Sequence, residues 1–150
     1  MIRILLFLLL AGCQDGKYEN VGYYTYPTTH YNKTNLEKYL VSEFRNIDHE
    51  ELKVVYLTSD DEIIDIATFA VGDQHHVKYN LILLYAESVK RGAKKIILAH
   101  NHPNQYWAIP STADKRALEE LRPLYQQFGL EIKGSLVVGA ADVTWILDEN

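Results

Sequence analysis

Near the middle of this 150-residue chain lies the run Ile96-Ile97-Leu98-Ala99-His100-Asn101-His102-Pro103. Its apolar, β-branched residues predict a buried strand, and the proline that follows favours the end of that strand. Because residues i and i+2 of a strand point to the same face, His100 and His102 direct both imidazoles toward one point. The run therefore predicts a buried strand that carries two histidines at its C-terminal end.

A second segment, Pro110-Ser111-Thr112-Ala113-Asp114, follows after a loop. Its Ser-x-x-Asp pattern is typical of a helix start, and Asp114 can supply an oxygen ligand from across the site. Two histidines, one carboxylate and an open fourth position are typical of a catalytic zinc site. We therefore expect His100, His102 and Asp114 to bind Zn²⁺, with Ser111 beside them as an oxyanion donor. Ser111 and Asp114 are equally typical of a simple helix cap, and the two interpretations are compatible.

Composition limits the size of the fold and the class of partner. The chain is 47% hydrophobic and 23% charged, which suits one domain with a leader rather than two domains. The formal net charge is -5, and no Lys/Arg cluster is longer than Lys94-Lys95, so binding to the phosphates of a nucleic acid is not expected.

The N-terminus resembles a bacterial lipoprotein signal peptide. Arg3 precedes the apolar run Ile4 to Leu10, and Leu10-Ala11-Gly12-Cys13 resembles a lipobox that ends at the single cysteine of the chain. The resemblance implies a signal peptide over residues 1–12, lipidation of Cys13, and a membrane anchor on the periplasmic side. By the same resemblance Gln14 implies the outer membrane, and we expect residues 13–32 to form a tether. The alternatives are a mis-assigned start codon and an apolar segment that packs on the domain, and the protein would then be cytoplasmic.

Residue patterns predict the element order α-ββ-α-β-α-β-β in residues 33–150. Thr34 and Glu37 have the spacing of a capping box for the first helix, and Pro123 should kink or split the last. This order predicts an α/β fold in which helices cover a mixed sheet. The expected segments are a helix from Thr34, strands Leu52–Leu57 and Glu62–Val71, a helix from Val77 to Arg91, the histidine strand, a helix from Ser111, and strand runs 130–132, 136–138 and 143–147.

The two central segments resemble the JAMM motif of the JAB/MPN metallo-isopeptidases, and the wording Ala-His-Asn-His-Pro resembles the RadC-like branch. The resemblance covers about Thr34 to Leu147. It implies a JAB/MPN-like, cytidine-deaminase-like fold, a mixed β-sheet sandwiched by helices. It also implies that the ligand set holds Zn²⁺, that Ser111 stabilises an oxyanion, and that Glu50 is the general acid and base, with Glu51 as the fallback.

The same resemblance implies a zinc-dependent hydrolase of amide or isopeptide bonds, a JAMM-type metallopeptidase that acts on a peptide or protein. Two departures stand against it. The eight residues between His102 and Ser111 are one more than the family pattern has, and Lys133-Gly134 replaces the usual Asp-His. The alternatives are an inactive MPN-like binding module and a RadC-type protein linked to DNA repair. The acidic composition and the leader disfavour DNA repair.

Overall fold

A five-stranded mixed sheet lies at the centre of the computed structural model, which describes residues 29–148. The strands lie in the order β2-β1-β3-β4-β5; β3 and β4 are parallel, and the other neighbours are antiparallel. Sheet and helices confirm the predicted α/β class and element order. The elements are α1 (Lys33–Phe44), β1 (Glu51–Leu57), β2 (Ile63–Val71), α2 (Leu81–Lys90), β3 (Lys95–Asn101), α3 (Thr112–Gln127), β4 (Glu131–Val138) and β5 (Val143–Asp148).

The two faces of the sheet are covered by different helices. Successive side chains of a strand point to opposite faces, so Val54 packs in the cluster that contains Leu84 of α2 and Leu118 of α3, whereas Val55 packs with Leu36 of α1. The central strand β3 is buried on both faces, which is why its sequence is continuously apolar rather than alternating. Packing in the core therefore fixes the position of the C-terminal end of β3, next to the two histidines.

Two of the three helix starts between residues 29 and 148, those of α1 and α2, differ from the sequence-based expectation. The N-cap of α1 is Asn32, whose side chain accepts a hydrogen bond from the Asn35 amide, so the predicted capping box at Thr34 is wrong. Glu37, its expected partner, accepts instead from the indole of Trp145 at 2.7 Å. Helix α2 begins after Asn80, not near Val77, because the Asn80 side chain accepts from two amides of the first turn.

Helix α3 continues through Pro123, so of the predicted kink or split the split does not occur. One further local prediction is corrected near the C-terminus. The predicted strand runs 130–132 and 136–138 form one strand, β4, because Lys133 and Gly134 fit inside the sheet. Lys133 is buried and its Nζ lies 3.3 Å from Asp61 Oδ2, while a Cβ on Gly134 would meet the Trp145 ring at 2.6 Å. The replacement of Asp-His in the family pattern is therefore a change of packing.

The end of the predicted tether contacts the domain. Thr29 O accepts from the Ile63 amide at 2.6 Å, and the Tyr31 amide donates to Asp61 O at 2.8 Å. Cys13, the predicted signal peptide and most of the tether lie outside the described residues. Between residues 29 and 148, no helix combines the length and the apolarity needed to cross a bilayer.

Candidate metal centre

His100 lies at the C-terminal end of β3, and His102 follows directly after the last residue of the strand. His100 pairs with Leu52 of β1 and Val137 of β4, and the His102 amide donates to Val138 O at 3.1 Å. Both histidines are buried, and their Nε2 atoms are 3.2 Å apart. Pairing on both sides of β3 therefore fixes the two imidazoles next to each other.

Asp114 reaches the histidines from the first turn of α3. Its Oδ1 lies 3.2 Å from His100 Nε2, and its Oδ2 lies 3.4 Å from His102 Nε2. The Ser111 amide donates to Asp114 Oδ2 at 2.7 Å, and Ser111 Oγ accepts from the Asp114 amide at 3.1 Å. This reciprocal capping box confirms the capping interpretation and aims the carboxylate at both imidazoles.

The spacing of these atoms suits a zinc ion. Tetrahedral zinc with ligand bonds of about 2.0–2.1 Å separates its ligand atoms by roughly 3.3 Å. The two imidazole nitrogens are 3.2 Å apart, Asp114 Oδ1 lies 3.2 Å from His100 Nε2, and Asp114 Oδ2 lies 3.4 Å from His102 Nε2. One ligand atom from each of the three residues lies within 4.8 Å of the other two. Two imidazole nitrogens and a carboxylate oxygen are also a common donor set for catalytic zinc. Within residues 29–148 this is the one group of three or more such side chains close enough to share an ion.

The charges at this centre favour a cation. Burial raises the pKa of Asp114, but hydrogen bonds from His100, His102 and Ser111 outweigh it and hold that pKa well below its ordinary value. The hydrogen bond to Asp114 raises the pKa of His102 by more than burial lowers it. Asp114 is therefore an anion that faces both imidazoles.

Glu50 is a second acidic residue, besides Asp114, that lies close to the two histidines. It is buried immediately before β1, and its Oε1 lies 4.0 Å from His102 Nε2. Its amide donates to Asp73 O and its carbonyl accepts from the Gly72 amide, both at 2.7 Å. The Asn101 side chain bonds the backbone on either side of Glu50. The carboxylate is therefore held on a fixed backbone.

Glu51, the fallback for the same role, is placed elsewhere. Its Oε1 lies 3.0 Å from His49 Nε2, and its Oε2 lies 3.4 Å from Lys53 Nζ. These contacts tie Glu51 to the neighbouring side chains of its own segment. The structure therefore brings Glu50, and not Glu51, next to the two histidines.

A cavity of about 440 Å³ opens over the centre and is lined by Glu50, the three candidate ligands and Ser111. The exposed His75 and His76 lie on its rim, on a loop whose Asp73 carboxylate accepts from their amides at 2.8 Å. They are not members of the candidate ligand group.

Sequence analysis did not single out Asn101 and Gln105 as site residues. Asn101 holds the backbone around Glu50, and Gln105 Oε1 lies 3.2 Å from His102 Nδ1. A local signal for Gln105 does exist in the sequence. Pro103-Asn104 after His102 is typical of a type II turn, which brings the fourth residue of the turn back toward the first.

Comparison with known proteins agrees with the motif. The model of the RadC-like JAB domain matches residues 30–149. A UPF0758 protein of Clostridioides difficile is 28% identical over 108 residues, which cover 72% of this chain and 46% of that protein. A UPF0758 protein of Moorella thermoacetica is 27% identical over 111 residues, covering 74% of this chain and 48% of that protein. This chain thus spans about half the length of these relatives. The chain belongs to the family of RadC-like JAB domains.

Proposed function

We propose that this domain is a JAMM-type zinc metallopeptidase that hydrolyses amide or isopeptide bonds in a peptide or protein. The observation that carries the proposal is the group of His100, His102 and Asp114, in which each pair of side chains has its nearest ligand atoms 3.2 to 3.4 Å apart, with the Glu50 carboxylate beside it. Activation of a water molecule requires a buried carboxylate that faces the same cavity and is not itself a metal ligand.

In this proposal the two histidines and Asp114 hold the ion. Zinc supplies a Lewis acid that lowers the pKa of water toward about 7. Glu50 accepts a proton from the attacking water and delivers it to the leaving amine. Its hydrogen-bonded backbone keeps the carboxylate in place for both transfers.

Ser111 has a second task in the proposal. Its Oγ accepts a hydrogen bond from the Asp114 amide, which leaves the hydroxyl proton as a donor. Ser111 also lines the cavity, where a donor can stabilise the negative oxygen of the tetrahedral intermediate. Cap and oxyanion donor are thus compatible tasks for one side chain.

The first experiment measures zinc per chain in full-length protein purified without added metal, beside His100→Ala and Asp114→Asn. Asn at position 114 keeps an acceptor for the Ser111 amide, so the helix cap survives while the anionic ligand is lost. We expect about one zinc per wild-type chain, as for one catalytic zinc site, and loss of zinc from both variants. His75→Ala, on the rim of the same cavity, is the matched control and should keep its zinc.

The second experiment offers the zinc-loaded protein a fluorogenic library of peptides joined through backbone amides and through lysine ε-amides. Zinc-dependent cleavage that is lost in His100→Ala supports the proposal. A folded wild type without zinc contradicts the metal site. Zinc without cleavage of either bond type contradicts the hydrolase and favours the MPN-like binding module.

A further inference from the structure

We propose that Gln105 is a positioning residue for the metal centre, and that it acts through the imidazole of His102. Its Oε1 lies 3.2 Å from His102 Nδ1, on the side of the ring opposite the nitrogen that faces Asp114 and His100. The inference rests on the proposed zinc site but not on the reaction at that site.

The chain geometry explains why Gln105 reaches back to His102. The Gln105 amide donates to His102 O at 3.3 Å, which closes a four-residue turn. Pro103 fixes the second position of this turn, and Asn104 at the third has a φ of 65°. A proline followed by a residue with positive φ is the requirement of a type II turn, and asparagine tolerates that φ. The turn therefore returns the Gln105 side chain to the histidine that begins it.

The far side of the turn is also fixed. Gln105 O accepts from the Ala140 amide at 3.1 Å, and Tyr106 O accepts from the Ala141 amide at 3.0 Å. These bonds hold the loop against the connection between β4 and β5. Gly139 makes the approach possible, because a Cβ there would lie 2.7 Å from the Ala108 backbone nitrogen. The Gln105 side chain is thus presented to His102 from an anchored backbone.

Hydrogen-bond chemistry indicates which atom donates and which atom accepts in this contact. When Nε2 of a histidine binds a metal, its Nδ1 carries the proton and needs an acceptor. An amide oxygen is such an acceptor, whereas the amide nitrogen only donates. Oε1 of Gln105 would therefore fix both the tautomer and the ring orientation of His102. Partners of this kind typically contribute about 10- to 100-fold in metal affinity.

The test compares Gln105→Leu, Gln105→Glu and wild type in the full chain. Leucine has a similar size but lacks the acceptor, and glutamate keeps an oxygen at the same position. Gln127→Leu makes the same chemical change on the exposed face of α3 and is the matched control. The readouts are zinc affinity by chelator competition, the visible absorption of the Co²⁺-loaded protein, and the Tm of the metal-free protein.

We expect Gln105→Leu to weaken zinc affinity by roughly 10- to 100-fold and to shift the Co²⁺ bands, with glutamate restoring both. The metal-free Tm and all readouts of Gln127→Leu should match wild type. Wild-type affinity in Gln105→Leu overturns the inference. A drop in Tm with no rescue by glutamate also overturns it, because the residue is then structural.

These outcomes separate the inference from the proposed function. If wild type binds zinc and cleaves no amide, the hydrolase fails while the Gln105 comparison still stands on affinity. If wild type binds zinc and Gln105→Leu binds it equally, only the role of Gln105 fails. If wild type binds no zinc, both fail together.

Discussion

The side chain of Asn101 brackets the backbone of Glu50: its Nδ2 donates to the carbonyl of His49 at 2.9 Å, and its Oδ1 accepts from the amide of Glu51 at 2.7 Å. Asn101 lies between the two histidines in sequence and points to the other face of β3. One strand therefore supplies two candidate ligands and also fixes the segment that carries the candidate base.

Asn101→Ala should slow hydrolysis by roughly 10- to 100-fold, because without the Asn101 side chain the Glu50 carboxylate shifts relative to the attacking water. Zinc content should not change, since both histidines remain. The loss of two partners for buried backbone groups should cost about 1–3 kcal/mol of unfolding free energy, measured with urea. Asn80→Ala, which removes the α2 cap, destabilises at a remote place and should leave the rate alone. Equal rates in wild type and Asn101→Ala would contradict the bracketing role.

Glu50→Gln tests the candidate base directly. The amide cannot accept the proton of water, so the hydrolysis rate should fall by roughly 10²- to 10⁴-fold while zinc content stays at the wild-type level. Glu51→Gln is the matched control, because Glu51 contacts His49 and Lys53 instead. Rates and zinc are measured on the same preparations. A larger loss of rate in Glu51→Gln would reverse the assignment.

The parts of the site that sequence could predict are local in the chain. His100 and His102 share a face because they are two residues apart on a strand, and Ser111 and Asp114 meet because a capping box links N-cap to the third helical residue. The approach of Asp114 to the histidines is not local. The resemblance to JAMM proteins implied it, and the structure shows it despite the longer loop.

The resemblance favoured Glu50 with Glu51 as the fallback, but local sequence alone does not decide between the two. The choice depends on the antiparallel register that places Leu52 opposite His100, and on the contacts of Asn101 with this segment. The predicted start of α1 was wrong for a related reason. Asn32 and Thr34 are both suitable N-cap residues. Which of them caps α1 depends on how residues 29–31 pair with the turn between β1 and β2.

Asp61 gives a pH dependence that is independent of the metal centre. Burial raises its pKa, but Lys95 and Lys133, at 2.9 and 3.3 Å, outweigh burial and lower it. A lowered folded-state pKa contributes stability above the unfolded pKa of about 3.9, and this contribution is lost as pH falls through the folded-state pKa. Asp61→Asn should therefore be less stable than wild type at pH 7, and the gap should shrink below about pH 4.

Urea unfolding from pH 7 to pH 3 measures this gap. Asparagine suits the positive φ of Asp61, 62°, so the substitution tests the charge and not the backbone. Asp60→Asn is the control in the same turn, because it leaves both contacts between Asp61 and the lysines in place. A gap that stays constant across this range would mean that the two lysines do not act through the Asp61 charge.

Lipidation of Cys13 remains a prediction from sequence. Each buried methylene of an acyl chain contributes about 0.8 kcal/mol of membrane binding. In a bacterial host, wild type should therefore label with an alkyne fatty acid and sediment with membranes. Cys13→Ser should do neither. Equal, unlabelled soluble fractions for both proteins would contradict the anchor and favour a cytoplasmic protein.

Substitutions at Ser111 distinguish the two tasks that its hydroxyl group has in the proposal. Glycine is a fair N-cap, so Ser111→Gly should cost only a few tenths of a kcal/mol in stability. Loss of the donor should nevertheless reduce kcat by roughly 10²- to 10³-fold. Ser111→Thr keeps both the cap oxygen and the hydroxyl proton and should retain most of the rate. If Ser111→Gly cleaves as fast as Ser111→Thr at equal zinc content, Ser111 is only the cap that aims Asp114 at the two histidines.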